Sequence, residues 1–438
     1  MEKWEDKIKQ EVNEQPPSIV TERINATLQK LPTKRRNYKK LYFSAAAAVL
    51  AFGLTLGASF FSPTFADTVK SIPVIGSVFD TIGNIGVKKG SEEGLSILLG
   101  EQVIINEQTV TFTESLYDGS EIHLGYIIES PTRDILDLNK GFLSDIEFTV
   151  NNRSMGSYGW GSSGQILDNG TYAGTISIKF NDEVPDSFLL GIKPRTGRAW
   201  KVELPIELQG SHETFLVNET RGMEDITIHY DSITFYPTAT EIAMRQVTDE
   251  VKNPEDDKYM FIDFKLVDDQ GHVLQPLSGG GEGTTKGGKL VQTLQYNFEP
   301  LDTFPETITV RPYLINIGDD SLSFVRGKWE GEELVLSQGE IGNLIVTDVR
   351  EEDGLVTVFY EVDGDEFYDQ SMAIWLEDSA DNEYYFDRQL PKKIEGTKNK
   401  FEVSFSSAPA LDDLYITTLE MKPLNYLEDL EITISIGQ

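Results

Sequence analysis

The hydrophobic pattern of this chain changes period twice. From Leu41 to Ala66 there is no charged side chain at all, and at 1.5 Å per residue the 21 residues Leu41 to Phe61 reach about 31 Å as a helix, the thickness of a bilayer's hydrocarbon core. A membrane-spanning helix is therefore predicted over 41–61. Upstream, apolar residues fall three and four apart on two short amphipathic helices, one carrying Trp4, Ile8 and Val12, the other Val20, Ile24, Leu28 and Leu31. Pro16-Pro17 separates them, because proline does not sit inside a helix. Neither helix is long enough to be stable alone in water, so each needs something against which to bury its stripe. Between 62 and 95, Ile72, Ile75, Phe79 and Ile82 keep helical spacing, which predicts a short helix packed on the following domain or lying on the outer leaflet. The glycines at 83, 86, 90 and 94 then read as a pliable stretch open to a protease.

After residue 100 the period drops to two, with Val, Ile, Thr, Phe and Tyr alternating with polar residues between Gly, Asn and Asp turns. The segments recur in order. Thr109-Val-Thr-Phe-Thr, Asp225-Ile-Thr-Ile-His and Leu344-Ile-Val-Thr open three units; Ile146-Glu-Phe-Thr-Val, Phe261-Ile-Asp-Phe-Lys-Leu-Val and Met372-Ala-Ile-Trp-Leu lie in their middles. Phe180, Phe298 and Phe405, each shortly before a Pro, close them. A period above 100 residues indicates tandem domains, since solenoid units run about 20–50. The predicted fold is mainly β: tandem immunoglobulin-like antiparallel β-sandwiches of about seven strands each, with a Greek-key barrel as the alternative. The divisions are 1–40 (cytoplasmic helices), 41–61 (membrane span), 62–95 (stalk), and sandwiches at 96–210, 211–336 and 337–438. Phe112, Phe148, Phe180, Phe235, Phe261, Phe264, Trp375 and Phe405 are the expected core aromatics.

Charge gives the chain a direction. Lys34, Arg35, Arg36, Lys39 and Lys40 flank the apolar stretch on its N-terminal side, which places residues 1–40 inside and everything after Phe61 outside a cell membrane. The rival reading, cleavage of a signal peptide after Ala66, has small residues in its favour. Against it stand an apolar run longer than a secretory core and a 40-residue leader. Residues 1–40 carry a net +4, which leaves −38 on the remainder of a chain whose total is −34. So acidic a portion repels nucleic acid. Within the leader, residues 1–22 are net −3 and the basic residues gather beside the membrane, a polarity that suits a basic protein partner at the tip and anionic lipid at the base.

Catalytic and metal chemistry were sought and no constellation emerged. There is no cysteine, and His123, His212, His229 and His272 have neither HExxH nor His-x-His spacing, so no metal, cofactor or catalytic residue is assigned and no enzyme is expected. Gly283-Thr-Thr-Lys-Gly-Gly-Lys289 resembles the start of a phosphate-binding loop, but Leu290 stands where the magnesium-binding hydroxyl belongs. Together with glycine-rich 156–164 it reads as a long hairpin loop. Asp363, Asp365, Glu366 and Asp369 are oxygen-rich but lack EF-hand spacing, and read as a solvated turn.

The N-terminal helices around Trp4 and Leu31, the basic flank, the single span, the Ser62-Pro-Thr-Phe-Ala-Asp67 exit and Val69-Lys-Ser-Ile-Pro-Val-Ile-Gly-Ser-Val-Phe79 together resemble a Firmicute family of single-span proteins, that of domain of unknown function 4179. The resemblance is most specific over about residues 40–130, and the second sandwich resembles a further uncharacterised domain. Some members are anti-sigma-factor-like negative effectors of extracytoplasmic-function sigma factors. The resemblance therefore implies a membrane-anchored regulator whose N-terminal helices hold a sigma factor until an envelope protease releases it. The chain departs from the zinc-binding class of anti-sigma factors, having no Cys and no His before residue 123. The alternative is an envelope-binding or spacer protein with a simple anchor; the oligomeric state is left open.

Overall fold

The computed structural model describes residues 77–436 except 106–107, 130–141, 144, 168–170, 197–199, 252–257, 260, 316–322, 353, 387–389 and 395. All of them belong to one compact unit, Ile72–Gln438. The expected inside helices, the span at 41–61 and the first part of the stalk, 62–76, lie outside the described residues. Among the described residues, no helix is long and apolar enough to cross a membrane.

Two short helices, α1 (Val78–Ile82) and α2 (Ile85–Glu92), lead into 27 strands among the described residues. These strands form three pairs of antiparallel sheets, and the triplication is visible in their connectivity. The five-stranded sheets run β1 (Ile97–Ile105), β2 (Gln108–Tyr117), β3 (Ile122–Glu129), β7 (Tyr172–Phe180), β6 (Tyr158–Ile166); β10 (Glu213–Met223), β11 (Ile226–Phe235), β12 (Thr240–Asp249), β15 (Lys289–Phe298), β14 (Pro276–Lys286); and β18 (Leu334–Ser337), β19 (Asn343–Glu352), β20 (Leu355–Val362), β24 (Lys400–Phe405), β23 (Lys392–Lys393): a three-strand meander closed by a returning hairpin each time. The likeness extends to single residues. The second strand of each, β2 (Gln108–Tyr117), β11 (Ile226–Phe235) and β19 (Asn343–Glu352), carries a one-residue bulge against its neighbour, at Thr113, Asp231 and Thr347. The extra residue lets a fully buried side chain, Phe112, Tyr230 or Val346, point inward just before it. Phe180, Phe298 and Phe405 end the equivalent strands β7 (Tyr172–Phe180), β15 (Lys289–Phe298) and β24 (Lys400–Phe405).

The first sandwich has nine strands where about seven were expected, and in each of the first two sandwiches the glycine-rich stretch is an extended strand. Residues 158–166 form β6 and 276–286 form β14. Gly287 and Gly288, both with positive φ (62° and 76°), make the two-residue turn into β15, so the phosphate-loop-like stretch is a hairpin with its glycines where an inverse turn needs them.

The partner sheets differ in one respect. In the first sandwich β4 (Ile146–Val150), β8 (Ser187–Pro194) and β9 (Val202–Glu207) are consecutive neighbours. In the second, β13 (Ile262–Asp268) and β16 (Thr307–Leu314) are followed in the chain by β17 (Phe324–Lys328), yet β17 pairs with β25 (Tyr415–Leu419) of the third. The vacant place beside β16 is taken by the end of the chain, β26 (Asn425–Tyr426) and β27 (Ile432–Ser435). The second and third sandwiches have exchanged their last strands. The boundaries expected at 336/337 and 438 are corrected accordingly: 324–328 lies in the third sandwich and 425–436 in the second, whose core holds Leu427, Leu430, Ile432, Ile434 and Ile436.

Most expected core aromatics are buried, and Phe180 is partly so. Phe261 is the exception at 41% exposure. Its strand begins one residue later, so Ile262, Phe264 and Leu266 take the inward parity and Phe261 is left outside.

Candidate functional site

The residues nominated for partner binding (Trp4, Ile8, Val12, Val20, Ile24, Leu28, Leu31) and for topology (Lys34, Arg35, Arg36, Lys39, Lys40) lie outside the described residues. What the structure does place is the segment that follows the candidate span in sequence. α1 begins at Ser77, whose hydroxyl accepts from the Phe79 N–H (3.1 Å). Its apolar stripe divides between two contacts: Val78 and Ile82 pack on Ile127 and Ala173, and Phe79 joins Val87 and Leu116. Asn84 caps α2 through Val87 N–H (2.9 Å).

A buried carboxylate holds the start of this strap. Glu114 is only 2% exposed and accepts from the Ser77 hydroxyl (2.9 Å) and the Phe79 N–H (3.3 Å). Burial pushes its pKa above the usual carboxylate value, while the Ser77 and Phe79 hydrogen bonds pull it back. Ser91 ties the two helices together by donating to Asp80 at 2.8 Å.

The glycines read as pliable do something else. Gly86 and Gly90 are buried on α2. A Cβ on Gly86 would overlap the Thr238 carbonyl oxygen, and one on Gly90 would lie 2.7 Å from a Leu116 methyl and 2.9 Å from the Thr238 methyl. They let the helix approach the turn of the second sandwich, so the strap is wedged where the first two sandwiches meet. Lys89 continues across the junction to Asp302 (2.6 Å).

That junction is polar and buried. Asp118, with no exposure, accepts from the Thr238 N–H (2.9 Å) and hydroxyl (2.7 Å), and from the Ser120 N–H (3.0 Å) and hydroxyl (2.7 Å). Glu121 accepts from Ser278 (2.5 Å) and Asn297 (2.8 Å), and Lys179 pairs with Glu241. His123 is buried with Nδ1 2.8 Å from the Ser177 hydroxyl; burial lowers its pKa against the pull of Glu121 and Asp118. His272 pairs with Glu299 (2.9 Å), which raises its pKa. His229 meets Thr220 (2.8 Å) and His212 lies on Tyr236. The four histidines therefore sit apart.

Beside the strap opens a cleft of about 2210 Å³. The strap residues Ile82 to Lys89 form one side, and all three sandwiches contribute walls. The acidic group at 363–369 is elsewhere and is partnered: Glu366 and Asp369 (3.1 Å) pair with Lys265, and Asp363 accepts from the Asn343 side chain (2.8 Å). Glu366 and Asp369 thus cross-link the second and third sandwiches, while Asp363 and Asp365 are exposed, as a solvated turn would have them. No cluster of His, Cys, Asp and Glu able to hold a metal occurs among the described residues.

Sequence reasoning missed Glu114, Asp118 and Thr238. Ser77 and Asn84 are residue types that cap helices, whereas Asp118 is one of many Asp residues in the turns between strands. A carboxylate on a strand pattern carries no mark of what will dock on it.

The fold and junction define a mainly β chain of tandem antiparallel sandwiches with a helical strap at its entry. Residues 34–130 match the family model for a domain of unknown function, DUF4179, the family resembled in sequence, and residues 212–341 match a family of unknown function, DUF5643. No curated protein matches. The solved structure described as the conserved domain protein from Bacillus anthracis is 18% identical, covering 58% of this chain and 90% of that one, with a TM-score of 0.37, too low to carry an argument.

Proposed function

We propose that the protein is a single-span membrane regulator, anti-sigma-factor-like, with its N-terminus in the cytoplasm and its immunoglobulin-like sandwiches outside. In this reading the helices bearing Trp4 to Leu31 sequester an extracytoplasmic-function sigma factor, and the exterior reports envelope conditions. One observation carries it: the segment that follows the candidate span is wedged into the joint of the first two sandwiches through Glu114, Gly86 and Thr238. Any change in how those sandwiches meet acts directly on the strap. The family match at 34–130 and the basic flank support it. Release by an envelope protease fits a strap whose exposure depends on that joint. No catalytic, metal or nucleic-acid role is proposed.

The test is co-purification from detergent with a tag on residues 1–40. Recovery of a sigma factor that is lost on deleting 2–31 supports the reading, and its absence from intact protein defeats it. The second reading, an envelope spacer, is favoured by the strand exchange that makes the two distal sandwiches one stiff body. A spacer keeps its phenotype when 2–31 are deleted.

A further inference from the structure

Strand glycines weaken a sheet, and a structure ordinarily explains each by a bulge, a positive φ or a neighbour pressing on it. Gly159 and Gly161 on β6 and Gly280 on β14 have none of these reasons. β6 pairs with β7 without a shift and the bulge of β14 falls at Leu277, three residues before Gly280; none of the three has positive φ, and a Cβ on any of them would meet nothing within 4 Å. By contrast Gly279 is pressed by the Tyr296 ring and Gly281 by the Thr293 carbonyl. The three unexplained glycines all line the same cleft.

Parity shows what surrounds them. On β6 and β7 the face of Gly159 and Gly161 continues through Ser163, Thr175, Ser177 and Lys179, and on β14 and β15 the face of Gly280 continues through Ser278, Glu282, Thr293 and Gln295. Every one of these residues lines the cleft. The cleft-lining parts of the two outer sheet faces thus form the walls of a slot furnished with bare backbone, hydroxyls and an amide, without Val, Leu or Ile; their charges are paired, Lys179 with Glu241 and Glu282 with the Ser157 hydroxyl and the Asn181 amide. His123, the cross-strand neighbour of Ser177 on the same face, holds its hydroxyl from the side, and Ser163 and Thr175 bond to each other at 2.8 Å.

We propose that this slot is a saccharide-binding site that takes a linear neutral glycan. Hydroxyls and amides projecting from flat, side-chain-poor faces match the donors and acceptors that ring a sugar, and the missing side chains let its rings lie close to the strands. An extended peptide fits less well, since these faces offer no apolar pockets for alternate side chains. An anionic polymer is disfavoured by the cleft's carboxylates, among them Glu282, Glu299 and Asp302. The proposal stands apart from the sigma-factor reading, because a spacer has equal use for such a site.

The test is calorimetric titration of the full chain in detergent with two probes, chitotetraose and cellotetraose. Saturable binding of either is expected. Gly161→Val and Gly280→Val, one on each wall, each fill the slot and weaken binding about tenfold or more. Gly222→Val, on an exposed strand outside the cleft, leaves it unchanged. Since valine suits a strand better than glycine, the thermal midpoints of the cleft variants should hold or rise, which separates a filled slot from a broken fold. The proposal is overturned if neither probe binds, or if binding ignores both valines. It is equally overturned if an acetyl-(Thr-Val)3-amide peptide binds in their place with the same sensitivity to the valines.

Discussion

The N–H of Ile436 donates to the carbonyl of Glu306 at 2.9 Å. Leu208 makes the equivalent bond to Asp186 (2.7 Å) within the first sandwich, and Trp329 makes it to Leu414 (3.0 Å) in the third. In all three the donor directly follows or lies one residue beyond its strand, and the acceptor immediately precedes the partner strand. The exchanged strands therefore occupy the original register, each in the other's sandwich. A tandem duplication can reach this arrangement because the two closing strands present the same inward positions: Val325 and Gly327 in one, Ile432 and Ile434 in the other.

The exchange joins the two distal sandwiches into one cooperative unit. Ile434→Ala should destabilise by about 2–5 kcal/mol, the range for a buried isoleucine. It should raise amide exchange first at Thr307–Val310, the strand it pairs with. Val325→Ala should act instead at Tyr415–Leu419. Loss of protection at 415–419 ahead of 307–310 in the Ile434 variant would contradict the pairing.

Gly86→Ala sets two effects against each other. Alanine is about 1 kcal/mol better than glycine inside a helix, so an isolated strap would gain. In the folded chain the new methyl overlaps the Thr238 carbonyl, a backbone atom that cannot swing aside, and such overpacking costs about 1–3 kcal/mol. Net destabilisation is expected, with protease cutting between 77 and 95 as the readout. A variant as resistant as wild type would show that the strap does not need this approach.

Much of this fold was legible in the chain, for physical reasons. Period-two burial survives over much of β11 and β19 but not in β2, where α1 and α2 pack on Leu116, and the closing phenylalanines sit on strand ends as read. Strands β6 and β14 were not legible, since glycine carries no β pattern, and the same bareness hid the cleft they line. The exchange was invisible for another reason. Alternation tells which face of a strand is buried but not which of two similar sheets receives it. Glu114 and the packed glycines of α2 acquire meaning only from the partner that docks on them.

Lys265 tests the second join between the distal sandwiches. Its ammonium, largely buried, pairs with Glu366 and lies 5.5 Å from the Tyr313 ring and 5.9 Å from that of Tyr426. Lys265→Met leaves Glu366 buried without its cation and should cost about 3–5 kcal/mol. Adding Glu366→Gln removes the stranded charge and keeps an acceptor for the Tyr426 hydroxyl, now 2.8 Å from the carboxylate. The double variant should recover most of the loss in chemical denaturation. Equal stability of the single and double variants would mean that the pair contributes nothing.

Glu114 gives the strap a dependence on pH whose sign follows from its burial. Its pKa in the folded protein is raised above the ordinary value of 4.5, so across the interval between the two values the folded state holds more protons than the unfolded one. Stability then falls as pH rises through that interval, and is fully present only below the ordinary value. At neutral pH the ionised carboxylate is held at a desolvation cost that Ser77 and Phe79 offset only in part. Glu114→Gln keeps an acceptor for the Phe79 N–H and removes the charge. This variant should therefore be more stable than wild type near pH 7, and it should lose the decline in thermal midpoint seen above pH 4.5. Glu114→Ala removes the acceptor as well and should loosen residues 77–82 to amide exchange at every pH. If the glutamine variant keeps the wild-type pH profile, the titrating group that governs the strap is some other residue.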